Sequence, residues 1–438
     1  MVDWTGEAEI GHPYWWDAVT PRVTEGEFPE TCDLLVIGAG YTGLSAAIAG
    51  HDAGAKICVI DADIPGIGAS SRNGGMVGAP PRFSWDVLKP RFGEDVADQI
   101  FEEASTSFEW LQDLLTRENI DCDFQKTGRI QMAWTKAQFE NQRRLVNTLK
   151  NKSRIKVDLV ERDTLKTEVG TDRYFGGMVY ADHAGLHPAK YHAGLLAAVE
   201  RRGIPVVSHC PAQSWAHEGS RFTVSTPKGN IQADKVVLAT NGYTPETFKW
   251  HKRRVFPLPS YIIATEELSP NLIGELAPGR RMMVETRARH SYYRISPDGK
   301  RLLWGGRAAM VPYRLDKAAA RLKATMVEIW PQLANTRLSH VWTGNTGYSF
   351  NHMPHVGVSD GIHYAMGYSG SGTVMAPYLG AKAAYQALGD ARGKTAYSST
   401  SFKTNPIHPF TKPHFLHAAD FWYHNWVDRW ETRKGRWP

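Results

Sequence analysis

The sequence predicts an α/β protein built around a parallel sheet, with a second domain assembled from interleaved segments. Three observations carry that reading. The stretch "CDLLVIGAGYTGLSAAIAGHDAGAKICVIDAD" (residues 32–63) reads strand, glycine turn, helix and strand within about thirty residues, the unit that demands a right-handed crossover. A buried strand, "KVVLAT", stands midway along the chain. A third such piece, "IHYAMGYSGSGTVMAPYLGAKAAYQALGD" (residues 362–390), stands late, and unlike material separates the three.

Each element follows from local pattern. Residues 1–31 form an arm marked by "HPYWWDAVTP". Residues 34–37 and 57–60 are continuous apolar runs, the mark of strands buried on both faces. Residues 43–53 between them are Ala-rich and helical. Residues 64–83 are Gly- and Ser-rich and read as loop. Residues 86–152 read as helical, as in "VADQIFEEASTSFEWLQDLLTREN", with apolar residues three and four apart. "LHPAKYHAGLLAAVERRG" (186–203) is a helix with Pro188 early and Gly203 at its end, leading into the strand "IPVVSH". "RFTVSTPKGNIQADKVVLAT" (221–240) alternates as antiparallel strands round a turn and ends in the buried strand 236–239. "HSYYRISPDGKRLLWGG" (290–306) is a hairpin turning at Asp298-Gly299. One helix is expected near 316–330. The domains are then an arm (1–31), a nucleotide-binding domain (32–83, 184–245 and 341–395), a second domain (84–183 and 246–340) and a tail (396–438).

Composition, 42% hydrophobic and 22% charged over 438 residues, permits a large core. The net charge of +6 is spread along the chain, with short clusters such as 249–254. No nucleic-acid partner is therefore expected; anionic substrates or a membrane surface suit it better. Cys32, Cys58, Cys122 and Cys210 include no C-x-x-C pair and read as buried free thiols in a reducing compartment. No apolar run reaches the ~18 residues of a spanning helix. "MVDWTGEAEI" is unlike a signal peptide, so a cytoplasmic location is expected. No metal site is expected.

Gly38-Ala39-Gly40-Tyr41-Thr42-Gly43 fits G-x-G-x-x-G. Gly38 makes the tight turn, Gly40 lets a pyrophosphate approach the backbone, and Gly43 lets the helix pack on the sheet. The helix N-terminus favours the phosphate charge. Asp61 lies about twenty residues on, where an acid accepts from ribose hydroxyls and repels a 2′-phosphate. The turn alone leaves NAD and FAD open. The following loop, "GIGASSRNGGMV" (66–77), is suited to laying backbone amides along a cofactor.

With "HPYWWDAVTP", "DLLVIGAGYTGLSAAI", "GASSRNGGM", "GLHPAKYHAGL", "VVLATNGYTP", "LLWGGR", "MPHVG" and "YAMGYSGSGTVMAPYLGAKAA" in this order, the sequence resembles the FAD-dependent amine and amino-acid oxidases of the D-amino-acid-oxidase type. Within them it is most similar to the gamma-glutamylputrescine oxidase-like branch. The resemblance covers roughly residues 12–395. It implies a Rossmann-like FAD domain of the glutathione-reductase type, interleaved with an α+β substrate domain on a mostly antiparallel sheet. It implies that Gly38, Gly40, Tyr41, Thr42 and Gly43 bind the pyrophosphate, and Asp61 with Ala62 the ribose. Ala69, Ser70, Arg72, Asn73, Gly74, Gly75 and Met76 would run beside the ribityl chain and flavin, with Arg72 a structural residue of that loop. Ala212 would contact adenine, and Ala239, Thr240 and Asn241 would lie near the pyrophosphate. Gly344 would be a further cofactor contact. Gly367, Ser369, Gly370, Ser371, Gly372 and Thr373 would present a helix N-terminus to the flavin's N1–O2 edge, where negative charge gathers on reduction. "NHMPHVG" departs from relatives that carry an acid at Asn351 or His352. No cysteine lies in a tethering context, so noncovalent FAD is expected.

The implied reaction is hydride transfer from the carbon alpha to an amine nitrogen onto flavin, then imine hydrolysis, with oxygen or another acceptor taking the electrons. No obligatory side-chain base is required when positioning and charge supply the rate. Candidate catalytic and substrate residues are His290 and Tyr292, with Arg294 on the same strand face, Arg307, Tyr348 and His352. Trp304 and Trp342 are candidates for a pocket wall, with core packing the leading reading. The substrate class is a small amine or N-substituted amino acid like gamma-glutamylputrescine. The alternatives are a D-amino acid or N-methyl amino acid and, at a distance, an NAD-dependent dehydrogenase. In the tail, Phe415, Ala419, Trp422, Trp426 and Trp430 fall on one helical stripe. Packing on its own or a sister subunit is expected of that stripe, and peripheral membrane contact is the alternative. The tail, with Trp15 and Trp16 of the arm, could also roof the active site.

Overall fold

A computed structural model describes residues 8–406, 408 and 411–434. The apolar run after Cys32 becomes Thr31–Ile37, a central strand whose Leu34, Leu35 and Val36 are fully buried. Five strands run parallel beside one another: Val206–Val207, Ile57–Ile60, Thr31–Ile37, Gly229–Leu238 and Ile362–Met366. Arg221–Thr226 and Ser214–Glu218 extend the sheet antiparallel from the first half of Gly229–Leu238. His355–Ser359 extends it antiparallel from Ile362–Met366. The three strand pieces read from early, middle and late sequence therefore lie side by side.

Helix Tyr41–Asp52 follows the glycine turn and packs on helix Gly372–Ala387. Small residues make that crossing close. A methyl group on Gly380 would lie 2.2 Å from the Thr42 carbonyl oxygen. Thr42 Oγ1 and Tyr368 OH are 2.8 Å apart at the same junction.

The second domain is a nine-stranded sheet. Its order is Glu9–Ile10, Leu338–Ser349, Val255–Thr265, Leu302–Gly306, Ser291–Ile295, Met282–Glu285, Arg129–Met132, Gly177–Tyr180 and Val157–Val160. Two pairs are parallel, Glu9–Ile10 with Leu338–Ser349 and Met282–Glu285 with Arg129–Met132; the rest are antiparallel. Helix Leu315–Ile329 covers one face over a core that includes Tyr293, Trp304 and Trp330.

Several expectations need correction. The stretch 86–152 is not helical throughout. Helices Trp85–Phe92 and Glu94–Arg117 break at Gly93, and Arg129–Met132 is a strand before helix Lys136–Lys152. Four residues are too few for a period to declare itself. The loop 64–83 contains a helical turn, Ala69–Arg72, and a short strand, Met76–Val77. Leu338–Ser349 runs straight through residue 341 and pairs with the nine-stranded sheet, so that boundary falls inside a strand.

The tail is helical from Phe415, with a π turn at Tyr423–Val427. Its tryptophan stripe faces outward, with Trp422, Trp426 and Trp430 55%, 49% and 57% exposed. The side that docks begins apolar, with Leu416 buried and Phe415 packed on Phe256, and continues polar. The Glu431 carboxylate accepts from the Ala288 amide at 2.9 Å, Asp420 accepts from the Met310 amide at 2.8 Å, and Asp428 pairs with Arg289.

Candidate active site

The glycine turn joins the end of Thr31–Ile37 to a helix whose first bond runs from Leu44 N to Gly40 O, leaving earlier amides outside the helical ladder. Gly38 has φ +106°, and a methyl group there would lie 3.0 Å from Ala239 O. A methyl group on Gly43 would lie 1.7 Å from Gly38 O, so no other residue fits. Asp61 Oδ2 accepts from the Ala39 amide at 2.7 Å and Oδ1 from the Asp63 amide at 3.0 Å. Burial pushes its carboxyl upward against those two bonds. Each oxygen keeps a further lone pair, so ribose hydroxyl donors would relieve the half-buried charge. Ala62 beside it is exposed. Cys210 N donates to Asp61 O at 2.7 Å, bringing the Ala212 segment to the same end. Asn241 Oδ1 accepts from Gly367 N at 2.9 Å, tying the middle strand's exit, with Ala239 and Thr240, to the late glycine turn. These features fit a dinucleotide: a cradle closed to any side chain, amides outside the helical ladder, and a half-buried acid with lone pairs to spare.

The loop after the second strand links this end to a cavity. Ser70 Oγ accepts from the Tyr41 amide at 3.0 Å. Asn73 ties the loop to itself, its Nδ2 donating to Ser70 O at 3.0 Å and its Oδ1 accepting from Gly75 N at 2.8 Å. Three tryptophans brace the loop from behind: Trp15 Nε1 donates to Asn73 O, Trp16 Nε1 to Ser71 Oγ and Trp342 Nε1 to Arg72 O, at 2.8–2.9 Å. Arg72 donates to Ile67 O at 2.7 Å and stacks over Trp16. The arm thus supports the loop rather than roofing a site.

A cavity of about 570 Å³ lies between the two sheets. Its nucleotide-domain wall includes Ala69, Arg72, Asn73, Gly74, Met76, Ser369, Gly370, Ser371 and Thr373. The opposite wall includes His290, Tyr292, Arg307, Gly344, Tyr348 and His352. Arg307 Nη2 donates to Tyr348 OH at 2.5 Å, and Tyr292 OH lies 2.8 Å from Ser260 Oγ. Burial, then repulsion from Arg307, Arg82 and Arg129, pushes the His290 imidazole down to about 3. Burial, then Arg82 and Arg307, pushes His352 down to about 4. Burial raises the Tyr292 hydroxyl to about 12.

The family model described as FAD dependent oxidoreductase matches residues 33–386. The chain belongs to that family. The oxidoreductase is 30% identical over 390 residues to gamma-glutamylputrescine oxidoreductase of Escherichia coli K12, covering 87% of this chain and 88% of that one. It is 29% identical to a probable oxidoreductase OrdL of Haemophilus influenzae, covering 86% and 88%. Among solved structures it shares the fold of glycine oxidase from Geobacillus kaustophilus, with TM-score 0.70, 17% identity, and coverage of 86% and 99%. It also shares that of L-proline dehydrogenase from P. horikoshii, with TM-score 0.68, 18% identity, and coverage of 90% and 100%. Its cofactor is FAD.

In this oxidoreductase the sequence-derived candidates fall into two groups. Gly38, Gly40, Tyr41, Thr42, Gly43, Asp61, Ala62, Ala212, Ala239, Thr240 and Asn241 gather at the nucleotide end, and Ser70, Gly75, Gly367 and Gly372 connect that end to the cavity. Arg294 does not line the cavity. It is buried behind it, donating to Gly75 O at 3.0 Å and Leu186 O at 2.9 Å. Trp304 stacks on Tyr293 in the core, and Trp342 braces the loop; neither is a cavity wall. Sequence reasoning missed Arg82, Arg129, Gln131, Tyr180, Glu285 and Arg287, all on the lining. Arg129 and Gln131 alternate in the strand mistaken for helix, and that alternation is the one signal the sequence offered. None of the four free, buried cysteines lines the cavity. Among the described residues no helix is long and apolar enough to cross a membrane.

Proposed function

We propose that this FAD-dependent oxidoreductase oxidises the C–N bond of a small, carboxylate-bearing amine or N-substituted amino acid. One observation carries the reading: the loop 69–76 and the start of helix Gly372–Ala387 meet His290, Tyr292, Arg307, Tyr348 and His352 across a single cavity. The similarity to gamma-glutamylputrescine oxidoreductase supports an amine substrate. FAD, noncovalently held, supplies the hydride acceptor.

The side chains do the rest by charge and placement. Arg307, steadied by Tyr348, takes a substrate carboxylate. Its positive charge, with that of Arg82 and Arg129, disfavours a substrate ammonium and so favours the neutral amine that reacts. His290 and His352 stay neutral and add no competing cation. Tyr292 stays protonated and orients the nitrogen. The substrate's C–H gives up two electrons and the nitrogen a proton. Water adds to the imine, which splits into a carbonyl compound and an amine, and oxygen or another acceptor takes the electrons. The alternative substrate, a D-amino acid or N-methyl amino acid, would use the same arginine.

The test is an anaerobic absorbance spectrum of the purified holoprotein before and after adding polyamines, acylated polyamines and N-alkylated amino acids. Bleaching by one class is expected. Flavin that no amine or amino acid bleaches refutes the proposal.

A further inference from the structure

The charges on the cavity wall say what else the substrate carries, an inference that rests on the amine oxidation proposed above. Five arginines line the cavity. Two are spoken for: Arg72 braces the flavin loop, and Arg287 pairs with Glu285 and Glu328 at 2.8 and 2.9 Å. Among the lining residues Glu285 is the one carboxylate. It is saturated by Arg287, the Tyr174 hydroxyl at 3.0 Å and the Ser291 amide at 2.8 Å. Arg82, Arg129 and Arg307 therefore have no carboxylate among the described residues.

Their positions differ. Arg82 is exposed, at the mouth, where it steers anions inward. Arg129 and Arg307 are half-buried. Arg307 has the Tyr348 phenol as its partner, and Arg129 lies 4.5 Å from the Tyr180 ring with its Nε buried and unpaired. A guanidinium withdrawn from water without a counter-charge is costly, and two on one wall point to a ligand that supplies the charge. The sheet order separates them. Leu302–Gly306, Ser291–Ile295, Met282–Glu285 and Arg129–Met132 are consecutive neighbours. At roughly 4.8 Å per strand, the strands that carry them stand about 14 Å apart across the sheet, with Tyr292 on a strand between, and the register sets Arg129 and Arg307 on opposite sides of the Tyr292 row along the strands as well. A carboxylate takes one guanidinium fork in a bidentate pair. Two forks on opposite sides of Tyr292 call for two carboxylates.

We propose that the substrate is a secondary amine carrying two carboxylates, such as an N-(carboxyalkyl) amino acid, anchored at one end by Arg307 and at the other by Arg129. The C–N bond between the anchors lies against Tyr292 and His290 and faces the flavin loop. Oxidation at one α-carbon, then hydrolysis, yields an oxo acid and an amino acid, each leaving with one carboxylate. A γ-glutamyl diamine, with one carboxylate, would leave one arginine unanswered.

The test uses holoenzyme under anaerobic stopped flow. Iminodiacetate and N-(1-carboxyethyl) amino acids are compared with N-methylglycine, N-ethylglycine and a γ-glutamyl diamine. Flavin reduction is expected to be at least roughly thirtyfold more efficient with the dicarboxylates, chiefly through tighter binding. Arg129→Gln is expected to collapse that ratio to within about threefold, and Arg129→Lys to restore part of it. FAD content and melting temperature report whether each variant is folded; should neither be, the wild-type ratio decides alone. Reduction by monocarboxylates or diamines as efficient as by dicarboxylates overturns the two-anchor assignment and leaves amine oxidation standing. Flavin reduced by none of them, nor by the polyamines and acylated polyamines of the first test, overturns amine oxidation itself.

Discussion

Replacing Asp61 by asparagine tests the nucleotide end of the site without any knowledge of substrate. The carboxylate holds the amides of Ala39 and Asp63 at 2.7 and 3.0 Å. An asparagine keeps one oxygen, so one amide would face an NH₂ group, and a ribose diol would lose a charged acceptor. Hydrogen bonds to charged groups contribute ~1.5–3 kcal/mol against ~1 for neutral ones, and an orphaned buried donor costs ~1–3. The orphaned amide costs stability with or without FAD, whereas two diol bonds weakened from charged to neutral lose about 1–4 kcal/mol, or roughly 5- to 1,000-fold in FAD affinity. Titrating apoprotein with FAD and following the quenching of flavin fluorescence measures it. The sign of the pH dependence also follows. Burial raises this carboxyl in the free protein, and ribose donors favour its charged form. FAD affinity should then fall as pH falls into the carboxyl range, and Asp61→Asn should lose that dependence. A variant that binds FAD within about threefold of wild type at every pH would refute the role.

Other outcomes follow from the same geometry. Gly43→Ala would place a methyl group 1.7 Å from Gly38 O; overpacking beyond ~3 kcal/mol is expected, read as loss of soluble, flavin-loaded protein on expression. His290→Gln should leave the pH profile of kcat/KM unchanged in shape, because an imidazole held near about 3 does not titrate in the working range; an acid limb near the ordinary histidine value that vanishes in the variant would contradict this. His187 and His192, pushed by burial to about 4, and His251 and His355, pushed to about 3, are all buried. Their pKa values are depressed below the unfolded 6.5, so stability is lost as pH falls below 6.5, by up to ~1.4 kcal/mol per pH unit for each, down to about 4; denaturant melts between those values measure the slope. Glu431→Ala removes the acceptor from the Ala288 amide and should free the tail at a cost of ~1.5–3 kcal/mol, seen as faster proteolysis of the tail.

The parallel sheet was legible because its strands are buried on both faces and its turns need glycine, which leaves continuous apolar runs and fixed spacings. The hairpin at Asp298-Gly299 was legible for a similar reason. His290, Tyr292, Arg307, Tyr348 and His352 could be named from position in a resemblance, and they meet at one cavity. Arg129 could not, because its strand is four residues long and its neighbours in the sheet, at 282–285 and 177–180, are remote in sequence. Of the tail's aromatic stripe, Phe415 packs on Phe256 and Phe350, while Trp422, Trp426 and Trp430 stand exposed on this chain. Beyond it, Glu431, Asp420 and Asp428 dock through amides and a guanidinium that no hydrophobic pattern reports.

The junction where Thr42 meets Tyr368 and Ser45 donates to Pro377 O at 2.7 Å joins residues more than three hundred positions apart. The cradle for the cofactor is thus finished last. A nascent chain that has emerged only as far as the middle of the sequence has its glycine turn but lacks the strand Ile362–Met366 and the helix that closes over Thr42. Until that helix arrives, the parallel sheet has an open edge and an uncovered apolar face, the state in which chains associate with one another rather than fold. A complete cradle for FAD therefore requires nearly the whole chain, from Gly38 to the helix Gly372–Ala387.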